Sequence, residues 1–502
     1  PGVTWCPEPT LIRANFDGIG VREPYEETGV DFLDGILRAV CLLLIWTAAA
    51  SAEDAEPAGA TTPAEAVLFD FEDVPEAECW SMMKIPEVKK DPPEVKVERS
   101  TDHATSGKHS LKLTFDGGEW PAVATTKLKL PEDVFSFQSI RFDVTVDRPC
   151  VVAVRILQEE SKPGVGWNAG VSRWNTTAAL APGRNEVVRK LRGRADWEAL
   201  SPKFGKLTTF VIMLYNPRQG ESIYVDHIRL SADPAPAPPK TAFKVLGTDL
   251  VVSGVAELGK KLNTAWKTPE QKTVEEIEAD FRKAFDALRK THPKAVLAVF
   301  REGQKGYDPS DPEKVYEGWA DTHLEAHSPD GPNPGRTAVF GTYGAIETFM
   351  RHRSQLMRID VSSIPTGTCI LAARLVIDGM EQKTDLTQPN MWAAEACNRP
   401  WVETELNGYQ YAKDKFWKYP GGMHWEGDDP DFLPVYLAHG PSQGHVSHWD
   451  FTEAVRFWTD GKHPNHGFML HGTNKPYMRT FTREYKDVAR RPALMVVYEP
   501  KQ

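Results

Sequence analysis

Between residues 67 and 230 apolar and polar positions alternate in short runs, the period of half-buried β-strands. The clearest are SLKLTF (110–115), SIRFDVTV (139–146), VVAVRIL (151–157) and TFVIMLY (209–215). Gly, Pro and Asp turns separate them, which predicts an antiparallel β-sandwich over 66–231. A Pro-rich stretch, ADPAPAPPK (232–240), then reads as a stiff, extended hinge. Beyond it the period changes. Thr268-Pro269-Glu270 is a helix start signal, and Val274, Ile277, Phe281, Phe285 and Leu288 recur at steps of three and four up to Lys290. This amphipathic helix is expected to brace one sandwich against the other. From about residue 315 the texture is β again, with apolar strands on both sides of a Ser362-Ser363-Ile364-Pro365-Thr366-Gly367 turn. The fold class is therefore mostly β: two antiparallel, jelly-roll-like sandwiches joined by a hinge and helical connector over 232–314.

The N-terminal region has a different character. Residues 39–50 (AVCLLLIWTAAA) are apolar but shorter than the roughly 20 residues that span a bilayer. Arg38 precedes them, and Ala50-Ser51-Ala52 has the small-x-small form of a cleavage site. We read 37–52 as a secretory signal, with a buried core helix as the alternative, and 53–65 as a solvated Ala/Pro/Thr/Glu spacer. Residues 22–34 are acidic where a signal's leading region is basic, and the first methionine is Met82. Translation starting near Leu37 from a non-standard codon, with 1–36 as non-native upstream sequence, accounts for both. The mature protein is then secreted or on the cell surface (the periplasm is a further option), does not span the membrane, and has a bacterial source.

Length, charge and cysteine content narrow this picture. The chain has 502 residues, too many for one core, and 15 Trp and 13 Tyr supply ample packing material. A net charge of −11 offers no basic stripe for nucleic acid. Cys79, Cys150, Cys369 and Cys397 permit three pairings, of which Cys79–Cys150 and Cys369–Cys397 respect the domains; four free thiols are the alternative.

Several motifs carry possible chemistry. Asp428, Asp429 and Asp431 crowd an acidic loop that suits Ca²⁺ or simple surface repulsion. His463, His466 and His471 lack a helix to fix their spacing, so structural or sugar-contacting roles outweigh a transition metal. Gly440-Pro441-Ser442-Gln443-Gly444 fits a nucleophile-elbow pattern but sits in a β-rich region with no helix behind it. Aromatic residues flanked by polar ones suit sugar rings, whose apolar faces stack on aromatics. The candidates are Trp167, Trp174, Tyr215, Arg218, Trp392, Trp401, Trp417 and Trp425, with Trp167, Trp174 and Trp417 preferred as exposed. Core packing is the competing reading for each Trp.

Two resemblances add to this. QLMRIDVSSIPTGTCILAARLV (355–376), WDFTEAVRFWTDG (449–461) and RRPALMVVYEP (490–500), preceded by WADTHL (319–324) and the loop SPDGPNPGR (328–336), resemble the disaggregatase-related (DNRLRE) domain. That family is a secreted β-sandwich associated with carbohydrate-binding modules. The resemblance implies such a sandwich over 315–502, with an insert at 378–448, and a polymer-holding surface in place of a catalytic centre. LFDFED (68–73), ATSGKHSLKLTF (104–115) and IYVDHIRL (223–230) resemble a galactose-binding-like jelly roll, which implies a structural Ca²⁺ at Asp70 or Glu72 and Asp226. The expected function is non-catalytic binding of a polysaccharide or cell-surface glycan. The alternatives are a polysaccharide hydrolase or lyase with its site in 378–448, and a structural envelope or adhesion protein.

Overall fold

A computed structural model describes residues 64–85, 93–158, 173–198, 200, 206–237, 241–262, 272–325, 345–349, 353–383, 391–420, 430–441, 446–472 and 477–500. The signal, most of the spacer, Thr268-Pro269-Glu270, Trp167, Trp425, Asp428, Asp429 and Ser442 lie outside these residues. Among the described residues no helix is long and apolar enough to cross a membrane.

The first β region contains eleven strands: β1 (Glu65–Phe69), β2 (Ser81–Met83), β3 (Val95–Ser100), β4 (Ser110–Asp116), β5 (Ala122–Thr125), β6 (Ser139–Val146), β7 (Cys150–Gln158), β8 (Arg173–Leu180), β9 (Gly183–Lys190), β10 (Leu207–Leu214) and β11 (Gln219–Ser231). One antiparallel sheet runs β3-β4-β11-β6-β9 with β1 paired to β11, and the other runs β2-β5-β10-β7-β8. Period-two alternation sends one face of each sheet inward. Leu111, Leu113 and Phe115 of β4 meet Val152, Val154 and Ile156 of β7 and Phe210, Ile212 and Leu214 of β10 in a single core.

The start of the Pro-rich stretch stays on this sandwich, where Ser139 Oγ donates to the Asp233 carbonyl at 2.7 Å. Further on, the helix Val274–Leu288 begins with a capping box. Thr273 Oγ1 accepts from the Glu276 N–H and Glu276 accepts from the Thr273 N–H. The buried face of the helix (Val274, Ile277, Phe281) packs on Val299, Val376, Met495 and Val497. It therefore covers an outer face of the second β region, where a brace between the sandwiches was expected.

That second region is also layered. Val296–Phe300, Ala493–Glu499 and Cys369–Lys383 form one side of a core, and Phe432–Pro441, Met391–Cys397, Phe468–Gly472 and Arg353–Ile359 form the other. Phe300, Leu375, Leu494 and Val496 meet Trp392, Leu437, Phe468 and Met357 between them. Met391–Cys397 is hydrogen-bonded on both edges, to Phe432–Pro441 and to Phe468–Gly472. Much of the expected insert is thus integral sheet. Among the described residues of the insert, 398–420 lie off this sheet, and Trp401, Leu406, Trp417 and Phe432 pack there against Leu356 and Met469.

Residues 62–502 form one compact unit. Arg148 of the first sandwich is buried, ion-pairs with Glu221 and stacks over the ring of Tyr409 from the covering segment, 4.0 Å from its centre.

Candidate functional site

The outer face of the β2-β5-β10-β7-β8 sheet is not the polar surface that alternation would ordinarily leave. Two cross-strand rows define it. Met83, Ala122, Met213, Ala153 and Thr177 lie directly opposite one another across five strands, and Ser81, Ala124, Val211, Arg155 and Asn175 form the next row. The centre of both rows is apolar and mostly small. Ala122, Ala124, Ala153, Val211 and Met213 are buried and packed with Ile85, Met83, Trp120 and Leu157. A shallow cavity of about 130 Å³ opens here, lined by Ile85, Trp120, Ala153, Arg155, Asn175, Thr177 and Met213.

Two aromatic rings and one polar pair border this floor. Tyr215 follows β10, and its N–H donates to the Val151 carbonyl at 2.9 Å, while the Asn216 N–H reaches Glu119 at 2.9 Å. This extended pairing sets Tyr215 beside Trp120, with ring centres 4.7 Å apart and planes tilted by 46°. Both are half-buried. On the other side Arg155 Nε donates to Asn175 Oδ1 at 2.9 Å, fixing the plane of the guanidinium. The arrangement combines a flat apolar strip, an aromatic wall and oriented donors and acceptors, as expected of a site for a ligand with apolar faces and hydroxylated edges.

Of the aromatics singled out from sequence, Tyr215 belongs to this site, and exposed Arg218 lies on the turn beyond it. Trp120 was missed; its signal lay in the AVAT strand that follows, which puts alanine where polar residues would normally face water. The exposed roles expected of Trp174 and Trp417 are corrected: their exposures are 0% and 1%. Trp174 points inward from β8, and its polar neighbours Arg173 and Asn175 are simply the opposite phase of the strand. Trp417 closes the outer face of the second region, with Nε1 donating to the Asn407 carbonyl at 3.0 Å. Trp401 is buried likewise and donates to the His466 carbonyl at 2.8 Å, while Trp392 lies in the central core.

The carboxylates expected to hold calcium in the first sandwich are engaged by protein donors, and Asp428 and Asp429 of the second group lie outside the described residues. Asp226 Oδ2 accepts from the N–H groups of Thr105 and Ser106 at 2.6 and 2.8 Å, and Oδ1 from the His227 N–H at 2.6 Å. Glu72 Oε1 accepts from the Lys108 and His109 N–H groups at 2.7 and 2.8 Å, and the first of these bonds is the main cause holding its carboxyl below the ordinary range. Asp70 Oδ1 accepts from the Glu72 N–H at 3.1 Å. The nearby Phe71 carbonyl accepts from Arg99 Nε at 2.8 Å. A guanidinium and backbone amides thus occupy the Phe71 carbonyl, Asp70 Oδ1, Glu72 Oε1 and both Asp226 oxygens. In the second acidic group Asp431 is fully buried and ion-paired with Arg399, so it belongs to packing and not to a surface loop.

Neither cysteine pairing is formed: Cys79, Cys150, Cys369 and Cys397 are free thiols, with Cys150 and Cys397 buried and Cys369 exposed. Gly440 lies in a strand with no room for a side chain, since a Cβ would fall 1.8 Å from the Trp449 ring. That contact explains the glycine without a nucleophile elbow. His463 stacks on Phe457 with ring centres 4.0 Å apart, a packing role.

No family model matches the chain, and no curated protein matches it. Several solved structures are similar to it over part of its length. A family 11 carbohydrate-binding module from Clostridium thermocellum, solved with a β-1,3-1,4-mixed-linked tetrasaccharide, is 16% identical, covering 34% of this chain and 98% of that one at a TM-score of 0.25. A family 28 carbohydrate-binding module specific for non-crystalline cellulose is 15% identical over 35% of this chain and 97% of its own, with a TM-score of 0.23. An exo-β-agarase is 13% identical over 44% of this chain and 31% of its own, with a TM-score of 0.25.

Proposed function

We propose that this chain is a secreted polysaccharide-binding protein that holds its ligand on the outer face of the β2-β5-β10-β7-β8 sheet. One observation carries the reading: five aligned strands present a floor of small apolar side chains between the Trp120–Tyr215 pair and the Arg155–Asn175 pair. A pyranose ring at the cavity places its C–H face against the half-buried Trp120 and Tyr215 rings, above Ala153 and Met213 at the cavity base. Its edge hydroxyls then meet the guanidinium and the amide. Binding of this kind gains from apolar burial and from polar groups oriented before the ligand arrives. Export rests on the apolar segment at 39–50, and the resemblance of 315–502 to the disaggregatase-related domain fits the same extracellular setting.

The test is affinity electrophoresis of the full chain through gels containing neutral β-glucans, xylan, galactans or acidic polysaccharides. Retardation by at least one polymer is expected, without release of reducing ends or unsaturated products. Product release would favour a hydrolase or lyase, and mobility unchanged in every gel would favour a structural envelope protein.

A further inference from the structure

The second β region contains a charge imbalance unrelated to the groove of the first. Arg483, just beyond the strand Tyr477–Phe481, reaches three groups. Its Nε donates to Glu484 Oε1 at 2.8 Å, Nη2 to Glu403 Oε2 at 2.6 Å and Nη1 to the Trp319 carbonyl at 2.9 Å. The backbone closes the ring: the Arg483 N–H donates to Asp321 Oδ2 at 2.9 Å and the Asp321 N–H to Glu403 Oε1 at 3.0 Å. Glu403 and Glu484 therefore bind the guanidinium, Asp321 is held by the Arg483 backbone N–H, and Glu302 lies 3.7 Å from Arg483 Nη1.

Two oxygens of this ring have no partner among the described residues. They are Asp321 Oδ1, on a side chain that is 0% exposed, and Glu484 Oε2, a buried atom on a half-buried residue. A buried acceptor left unsatisfied costs about 1–3 kcal/mol, and more when it is charged. Asp321, Glu403 and Glu484 each offer one oxygen within 4.8 Å of the other two. Such a spread is what oxygens about 2.4 Å from a shared calcium-sized ion can have. A proton would quiet one orphan oxygen, whereas a dication between them answers both.

We propose that Asp321, Glu403 and Glu484 form a binding site for a divalent, oxygen-seeking cation of the Ca²⁺ class. All the ligands are carboxylate oxygens, which selects a hard ion over zinc or copper. Arg483 binds Glu484 Oε1 and Glu403 Oε2 and so restrains both glutamates. Glu403 and Arg483, with Trp319, also line a cavity of about 940 Å³, through which the ion enters. The bound ion ties the covering segment, through Glu403, to the strand Trp319–Glu325 and to the end of Tyr477–Phe481.

The full chain, stripped with chelator, is titrated at pH 7 with CaCl₂ by calorimetry and with Tb³⁺ by tryptophan-sensitised luminescence. One Ca²⁺ site is expected, and Asp321→Asn and Glu484→Gln should each weaken it at least tenfold, with unchanged circular dichroism. Glu484 is half-buried, so Glu484→Gln keeps the test valid if Asp321→Asn misfolds. Failure of the folded protein to bind Ca²⁺, Mg²⁺ or Mn²⁺ at millimolar concentration overturns the proposal. So does Ca²⁺ binding that Glu484→Gln leaves unchanged, which would place the ion elsewhere. Polysaccharide retardation is read separately, on the other sandwich.

Discussion

Trp174 and Trp120 show how the same residue type serves two purposes. Trp174 faces inward from β8 and meets Trp197 edge-on at 6.2 Å, whereas Trp120 stands half-buried on the outside. Sequence neighbours suggested exposure for Trp174, because a polar residue on each side of it looks like a surface. In a strand those neighbours point the other way, so they carry no information about its own environment. Trp174→Ala should cost about 3–5 kcal/mol of stability, read from urea unfolding of the full chain. A histidine offers a second residue-scale prediction. Burial, with Arg374 and Lys272 adding repulsion, lowers the His448 imidazole to about 4. The unfolded chain takes up a proton near pH 6.5 that the folded state resists, so this stability is present above that pH and is lost as pH falls toward 4. The His448→Gln variant should lose less Tm between pH 7 and pH 5 than the parent. An equal or greater loss would assign that acid sensitivity to other groups.

At the scale of elements, alternation made the strands legible, because half-burial enforces period two whichever partner strand is chosen. Strands 110–115, 139–146, 151–157 and 209–215 were foreseen nearly to the residue. The helix was equally plain, since its apolar stripe repeats over four turns. Its partner was not, because a stripe specifies that something covers it and not what. The same limit applied to 378–448, where Met391–Cys397 turned out to be a central strand whose hydrogen-bond partners lie some 40 and 75 residues further along. The ligand floor was hidden for a related reason. Ala122, Ala124, Ala153 and Met213 come from three separate strands, and only their lateral register makes a surface of them. Thr273→Ala removes half of the capping box and should destabilise the protein by about 1 kcal/mol. Hydrogen exchange should then show faster opening at the first turn of the helix; an unchanged rate there would mean that packing alone holds that end.

At the scale of the whole molecule, the contact between Arg148 and Tyr409 bears on how the two sandwiches behave together. The Arg148–Glu221 pair is buried, and the Tyr409 ring covers its guanidinium, so separating the sandwiches would expose charge and ring at once. The chain should unfold in a single calorimetric transition, and Tyr409→Ala should split that transition in two. A Tyr409→Ala variant that still unfolds in one step would locate the coupling elsewhere.

The central claim is that the outer face of the β2-β5-β10-β7-β8 sheet binds a polysaccharide, and calorimetric titration with a polymer that retards the protein tests it most directly. Trp120→Ala and Arg155→Ala should each weaken binding about tenfold, or about 1.4 kcal/mol, while the Tm stays within a few degrees of the parent. Undiminished affinity in both folded variants would contradict the account.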